Sequence, residues 1–244
     1  MQSFLTLTLL GILAVSVAEL PADIEKCKNG DGACLKKSIQ TAIEKYYGGS
    51  REINLLSFDP LHVKKMVLKR NPASPVNVDI TFTDFDMLGL KDLKIISVEG
   101  LQADLSGRNV FVGKVPEMRL KGQYKVEGRV LVLPVVGDGP CDLMMKNAEF
   151  KLSYDLKKVE KNGKIFAKLE HVKLEFVPGN IHFQFDNLFN GDKQLGDNMN
   201  VFINENWHDI WSEIGPTFTE AVGLVLEALL NAFFEKNSYE EIFL

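Results

Sequence analysis

His62, His171, His182 and His208 are the four histidines of the 244-residue chain, and they lie far apart. Zinc needs about four ligands, three of them from the protein even in an open site. No two of these histidines are spaced to start such a site, so they read as surface or pocket-rim residues. Asp186, Asp192 and Asp197 cluster around Asn187, Asn190 and Gly191. Calcium prefers such oxygen donors, but the Asp-x-Asp-x-Asn-Gly spacing with its closing Glu is missing, so the segment reads as a polar loop capping the last helix. Gly137-Asp138-Gly139 follows a strand-like run yet lacks the third glycine and the lysine of a phosphate cradle, which leaves a turn. There is no Gly-x-Ser-x-Gly elbow and no His-Glu-x-x-His. A lipid esterase would need Ser153 or Ser212 beside a histidine, and no pattern supports either. The chain reads as a non-enzyme without metal or cofactor.

Three cysteines leave one over if two are paired. Cys27 and Cys34 enclose Lys28-Asn29-Gly30-Asp31-Gly32-Ala33, a segment whose Gly, Asn and Asp residues let it turn back on itself, so this pair is the natural bridge. A ring of about eight residues stabilises by about 2.5 kcal/mol in the loop-entropy model. Cys141 is then a capped or partly buried free thiol, with an intermolecular bridge as the alternative.

A disulfide fits export, and the amino terminus carries a matching signal. Residues 4–17 are almost wholly apolar, and Ser16 and Ala18 supply the small residues a signal peptidase reads, which predicts cleavage after Ala18. The first seventeen residues have no Lys or Arg, so the only positive charge there is the terminal amine. A membrane anchor is disfavoured, because about 20 apolar residues are needed and Glu19, Pro21, Asp23 and Glu25 follow at once. The expected organisation is a signal peptide over 1–18 and one domain over 19–244, secreted and monomeric. A net charge of −5 with mixed Lys, Arg, Asp and Glu excludes the cationic face that nucleic acid requires.

The elements that would position a site are strands, then one long helix. Residues 33–47 read as a helix with Leu35, Ile39, Ala42, Ile43 and Tyr46 on one side and Gly48-Gly49 beyond its end. The period then becomes two: Val76, Val78, Ile80 and Phe82 alternate with polar residues, as do Phe150, Leu152, Tyr154 and Leu156. Asn162-Gly163 predicts a tight hairpin into 164–176. Along that return strand the apolar parity is odd at Ile165, Ala167 and Leu169 but even at Val172, Leu174 and Phe176, which predicts a bulge near Glu170-His171. Further strands are expected at 63–68, 93–105, 117–133 and 180–185.

In the final stretch, 200–244, Trp207, Ile210, Trp211, Ile214, Phe218, Val222, Val225 and Leu229 recur at spacings of three and four. Leu224, Leu226, Leu230, Phe233 and Phe234 broaden the stripe past one face, so such a helix wants apolar cover on most of its circumference. Over residues 207–234 it extends roughly 40 Å, which points to an elongated core or a channel beside the helix. Pro216 would kink it, unless a new helix starts after Gly215. Long strands plus one long helix, without βαβ alternation, define an α+β fold: a strongly curved antiparallel sheet around a C-terminal helix.

Cys27-x6-Cys34, the run Tyr124-Lys125-Val126-Glu127-Gly128-Arg129-Val130-Leu131-Val132-Leu133-Pro134 leading into Gly137-Asp138-Gly139, and Leu188-Phe189-Asn190-Gly191-Asp192-Lys193-Gln194-Leu195-Gly196 ahead of Asn204-Glu205-Asn206-Trp207 resemble the insect takeout and juvenile hormone binding protein family. The resemblance spans the mature chain and is closer to takeout-like members, since the hormone carriers proper typically carry a second disulfide for which Cys141 has no partner. It implies a secreted tubular lipid-binding fold with an internal tunnel, and a place in feeding behaviour, circadian output or chemosensation.

The expected function is a soluble carrier of a small hydrophobic ligand, a terpenoid or fatty chain. Trp211, Ile214, Phe218, Val222 and Val225 would line its site. Tyr124, Tyr154 and Trp207, each an apolar body with a hydrogen-bonding tip, are candidates to orient the ligand head. The alternatives are a juvenile hormone carrier proper and a protein-interaction module with a filled core.

Overall fold

The computed structural model describes residues 20–244, and the expected signal peptide lies outside the described residues. Helix α1 (Gly32–Tyr46) starts at Asp31, whose carboxylate accepts the Cys34 N–H at 3.0 Å. Strands β1 (Leu61–Leu68), β2 (Val76–Leu88), β3 (Lys94–Glu99), β4 (Asn109–Val130), β5 (Leu133–Lys161), β6 (Lys164–Val177) and β7 (Asn180–Phe185) follow, then helices α2 (Lys193–Glu205), α3 (Trp207–Lys236) and α4 (Tyr239–Ile242). All seven strands form one antiparallel sheet in the order β1-β2-β4-β5-β6, with β3 against β4 and β7 against β5.

The two long strands give the sheet two storeys. The carboxy-terminal half of β4 pairs with β2 and the amino-terminal half of β5 with β7; the other halves pair with β3 and β6. At 29 residues β5 would run roughly 95 Å if straight, about twice the 45 Å of the 30-residue α3. Twist and bulges curl it around the helix instead. Inward parity changes where the storeys meet: Val115 and Met145 are buried before the junction, Met118 and Ala148 after it, and Asn147 sits there at φ 49°. Edge strands β1 and β6 both lie against α3, which closes the tube. One apolar cluster fills the first storey with Met199, Ile203, Ile210, Phe218 and Val222 from the helices; a second fills the other with Leu35, Ile43 and Phe234.

The bulge expected at Glu170-His171 is present. On β5 only Tyr154 lies between Ser153 and Asp155, whereas β6 places His171 and Val172 between their partners Glu170 and Lys173. His171 takes φ 53°. Arg108 pins the irregularity, donating to the backbone oxygens of Ser153 and His171 at 3.1 and 2.9 Å and pairing with Asp155 at 3.1 Å.

Several expectations are corrected. The strand expected over 93–105 stops at Glu99, because Gly100 and Leu101 have positive φ and the Leu101 N–H is taken by the Asn109 side chain at 2.6 Å. The strand expected over 117–133 begins earlier, at Asn109, and turns back at Leu131-Val132. Gly137-Asp138-Gly139 is not a turn but part of β5, paired with Val126, Lys125 and Tyr124. A Cβ on Gly137 would lie 2.8 Å from the Tyr124 hydroxyl and 2.9 Å from Leu188 Cα, so glycine there permits close packing. The last helix breaks at Asn206, whose amide donates to Phe202 O at 2.8 Å, and not at Pro216, which α3 carries in its interior. Asp192 caps α2 and not the last helix, accepting the Leu195 N–H at 3.0 Å.

Cys27 and Cys34 are bridged, Cα to Cα 5.7 Å, and Cys141 is free and buried. Burial pushes the Cys141 thiol up to about 12, so its reactive thiolate is scarce at neutral pH. Alkylation of native, unreduced protein at pH 8 should therefore be slow, and one thiol per chain should react after unfolding. Finding two or three would contradict the bridge. Replacing both Cys27 and Cys34 by serine should lower unfolding stability by about 2.5 kcal/mol.

Candidate functional site

Side chains leave three apolar chambers in a row along α3. The first, about 60 Å³, lies between the first storey and the start of α3, with Val76, Val130, Val135, Trp211, Ile214 and Phe218 in its wall. The central one, about 250 Å³, is bounded by Met87, Phe111, Met118, Phe176, Phe218 and Leu226 and has no polar lining. The third, about 200 Å³, lies under α1 and carries the only polar groups of the row, from Glu25, Ser38 and Tyr154. Adjacent chambers share walls: Phe218 stands between the first two, and Ile39, Ala42, Leu55, Phe111 and Leu230 between the last two. The two larger chambers together reach the lower part of the range of roughly 300–1,000 Å³ found for small-molecule pockets.

The helix can border all three because it is apolar nearly all round. Trp211, Ile214 and Phe218 face the first chamber, Phe218, Val222, Leu226 and Leu229 the second, and Leu230, Phe233 and Phe234 the third. Aromatic contacts fix the divider: Trp211 meets Phe218 and Phe176 edge-on, with ring centroids 5.5 and 5.9 Å apart. Gly215 lets the indole lie against the helix backbone, since a Cβ there would come within 2.8 Å of Trp211 Cε2.

Of the five helix residues expected to line a ligand site, Trp211, Ile214, Phe218 and Val222 border the chambers. Val225 instead faces an outer groove between α3 and β1. Tyr154 borders the third chamber, and burial pushes its hydroxyl well above the ordinary phenol range, so it stays a neutral donor. Tyr124 is buried with its hydroxyl donating to Asp186 O at 2.7 Å, a tie between β4 and the end of β7. Trp207 lies over His208, centroids 3.6 Å apart. Neither lines a chamber. The walls supplied by α1, β4 and β6 had no sequence signal beyond amphipathic periodicity.

At the outer end of the first chamber the Ser74 hydroxyl contacts the Glu213 carboxylate at 2.6 Å, tying the β1–β2 loop to α3. At the other storey the Asn231 amide oxygen accepts the Leu169 N–H of β6 at 2.8 Å. Among the described residues no group of three or more His, Cys, Asp or Glu could hold a metal ion. The histidines lie apart: His62 pairs with Asp86 and His171 with Asp155, both at 2.9 Å on the exterior.

A curved antiparallel sheet closed by an apolar helix around a row of apolar chambers defines a tubular α+β protein with an internal cavity system. The model of the haemolymph juvenile hormone binding protein (JHBP) family matches residues 5–244, and the chain belongs to that family. The fold is that of the crystal structure of Epiphyas postvittana Takeout 1, with TM-score 0.78 and 26% identity, covering 90% of this chain and 99% of that one. Circadian clock-controlled protein daywake of Drosophila melanogaster is 23% identical over 228 residues, 91% of this chain and 88% of that protein. Its Drosophila yakuba counterpart is 22% identical over the same length.

Gly215→Ala tests the aromatic divider without any ligand. In an ordinary helix interior the change stabilises by about 1 kcal/mol. Here the methyl must displace Trp211, so a net loss of about 1–2 kcal/mol is expected in denaturant unfolding, with altered tryptophan fluorescence. A gain in stability would mean that the indole does not rest on Gly215.

Proposed function

We propose that this chain is a secreted carrier that binds an elongated apolar small molecule in the chambers along α3 and releases it unchanged. The observation that carries this reading is the central chamber, wholly apolar and sharing walls with a neighbour on each side. Removing several hundred Å² of terpenoid or fatty chain from water supplies on the order of 8–10 kcal/mol before the costs of association. Micromolar affinity corresponds to about −8.2 kcal/mol, so it requires a largely preformed cavity that keeps the costs of association small. Polar groups confined to the third chamber favour a guest with one polar end, its head near Ser38 and Tyr154 under α1 and its tail toward Phe218. Such a guest is a terpenoid, a fatty acid or a similar lipid.

Export is supported by the apolar segment over residues 4–17, read as part of a signal peptide over 1–18, by the Cys27–Cys34 bridge and by the haemolymph origin in the family's name. Residues 19–244 are then one domain acting as a monomer. The likeness to daywake, a circadian clock-controlled protein, extends the proposal to clock-linked supply of the ligand.

Native mass spectrometry of protein purified from its source should find a bound lipid, and incubation with labelled terpenoid or fatty esters should return them at unchanged mass. Turnover above the uncatalysed rate, or failure to hold any apolar compound, would overturn the carrier reading. Phe218→Ala should merge the first two chambers. Because space flanks the ring on both sides, its stability cost should fall at or below about 3 kcal/mol, the low end for a buried Phe→Ala change. The longest chain bound should increase. A larger loss of stability with unchanged ligand preference would place Phe218 in a dry core.

A further inference from the structure

The β4–β5 turn is built unlike a turn. Its two central residues are Leu131 and Val132, between the paired Val130 and Leu133, where tight hairpins favour Gly, Asn or Asp. Leu131 takes φ 56°, a conformation glycine adopts at no steric cost. Neither folding nor turn geometry asks for leucine there. Both side chains point into solvent, Val132 at 86% exposure and Leu131 at 51%, and Leu133, Val136 and the nearby Leu195 of α2 are exposed as well. Single exposed apolar residues are ordinary, whereas a contiguous group on a projecting tip marks an interaction site.

We propose that this tip is a membrane-docking wedge whose partner is the surface of a lipid bilayer carrying anionic headgroups. Charge placement favours a bilayer. Arg129 is exposed two residues behind the turn's Leu131, and Lys69 and Arg70 are exposed at the start of the adjoining β1–β2 loop. The first strand carboxylates, Asp79 and Glu127, face each other two residues further back than the Asn77–Arg129 pair, roughly 7 Å along the strands and level with Lys69. Asp79 holds Arg70 at 2.6 Å, Lys193 is paired with Asp197, and Glu213 is held by Ser74. An apolar point with Arg129 one layer behind it and Lys69 behind that matches acyl chains below a layer of phosphates. It does so on a protein whose net charge is −5. A second copy of the chain would need about 800 Å² from each partner, more than a two-residue turn and its neighbours present.

The position has a consequence for loading, which rests on the carrier reading as docking itself does not. Val130 and Val135, flanking the tip, line the first chamber, and the groove between the hairpin and α2 meets that chamber at Val135 and Met199. A docked tip therefore sets the end of the tunnel against the lipid.

The test replaces the tip and keeps the chamber wall: Leu131→Gly with Val132→Ser. Glycine relieves the positive φ, so the variant should melt at or above the wild-type temperature. Without added ligand, wild-type protein should co-float with vesicles of phosphatidylcholine containing phosphatidylserine, less with phosphatidylcholine alone, and the variant's partitioning should fall about tenfold or more. No co-flotation of the wild type, equal co-flotation of the folded variant, or self-association in solution that the variant abolishes would each overturn the proposal. A second measurement follows transfer of a fluorescent fatty acid. Transfer from vesicles should slow about tenfold in the variant, with uptake from vesicle-free solution unchanged. Docking without any uptake would sink the carrier reading and leave the wedge standing.

Discussion

The apolar circumference of α3 is the constraint on which the rest of the structure depends. A thirty-residue helix with Trp, Ile, Leu, Val and Phe on nearly every face has the length and composition of a membrane span, and in water it must be covered along its whole length. Short strands on one side cannot do that. The edge strands β6 and β1 lie against it, and β4 and β5 close the far side across the chambers, running past both ends of an ordinary sheet and carrying a second set of partner strands on their far halves. At the storey junction both strands change inward parity together, at Pro116 and Asn147, so the apolar side chains on either side of it still face inward. The bulge at His171-Val172 is the same solution on β6, and without it either Leu169 or Leu174 would face solvent.

Curling a sheet around a helix leaves edges, and unpaired edge amides are costly when covered. The helices satisfy them with asparagine. Asn200 and Asn204 of α2 each exchange two hydrogen bonds with β7, taking the N–H groups of Phe185 and Phe183 at 3.0 and 2.7 Å and donating to their oxygens at 2.8 Å. The spacing works because four helical residues advance about 6.0 Å and two strand residues about 6.6 Å. One face of a helix thus imitates a strand. Asn231 does the same once for β6, and Asn237 donates to Ile53 O at 2.8 Å. These polar side chains sit where α2 and α3 meet the rest of the fold, and the register of Asn231 against β6 helps fix which residues of α3 meet the chambers.

Periodicity made much of this legible. The alternation around Ile80 and Leu152, the parity conflict around Glu170-His171 and the stripe through Phe218 each follow from burial rules that act within one element. What escaped depends on contacts between elements. Gly137 and Gly139 read as a turn because glycine pairs usually make one. Their actual reason, the approach of residues 186–188 and the Tyr124 hydroxyl, exists only after folding. The Leu131-Val132 turn was invisible because it lacks turn residues, and Tyr124 carries no mark that its hydroxyl is engaged by Asp186. Val225 shares the spacing of Val222, but so wide an apolar stripe gives no sign of which part faces a chamber and which the outer groove. Leu229 borders both.

The space along α3 bears on function through its energetics. An enclosed void costs about 24 cal/mol for each Å³, so the central chamber of about 250 Å³ represents at most about 6 kcal/mol. Whole-domain stability is only about 5–15 kcal/mol. A protein with no use for the space would relax into it, as a larger side chain at Ala42 or Val222 would allow. Instead the frame resists collapse: the Cys27–Cys34 bridge holds the approach to α1, Arg108 pins the β6 bulge, and Ser74 and Asn231 tie α3 to opposite walls. Of these, Arg108, Ser74 and Asn231 lie outside the lining and only Cys27 borders a chamber, the third, so the scaffold and the lining can vary largely separately. Chamber shape is then set by a few apolar side chains, with Phe218 the residue that decides whether the first two act as one.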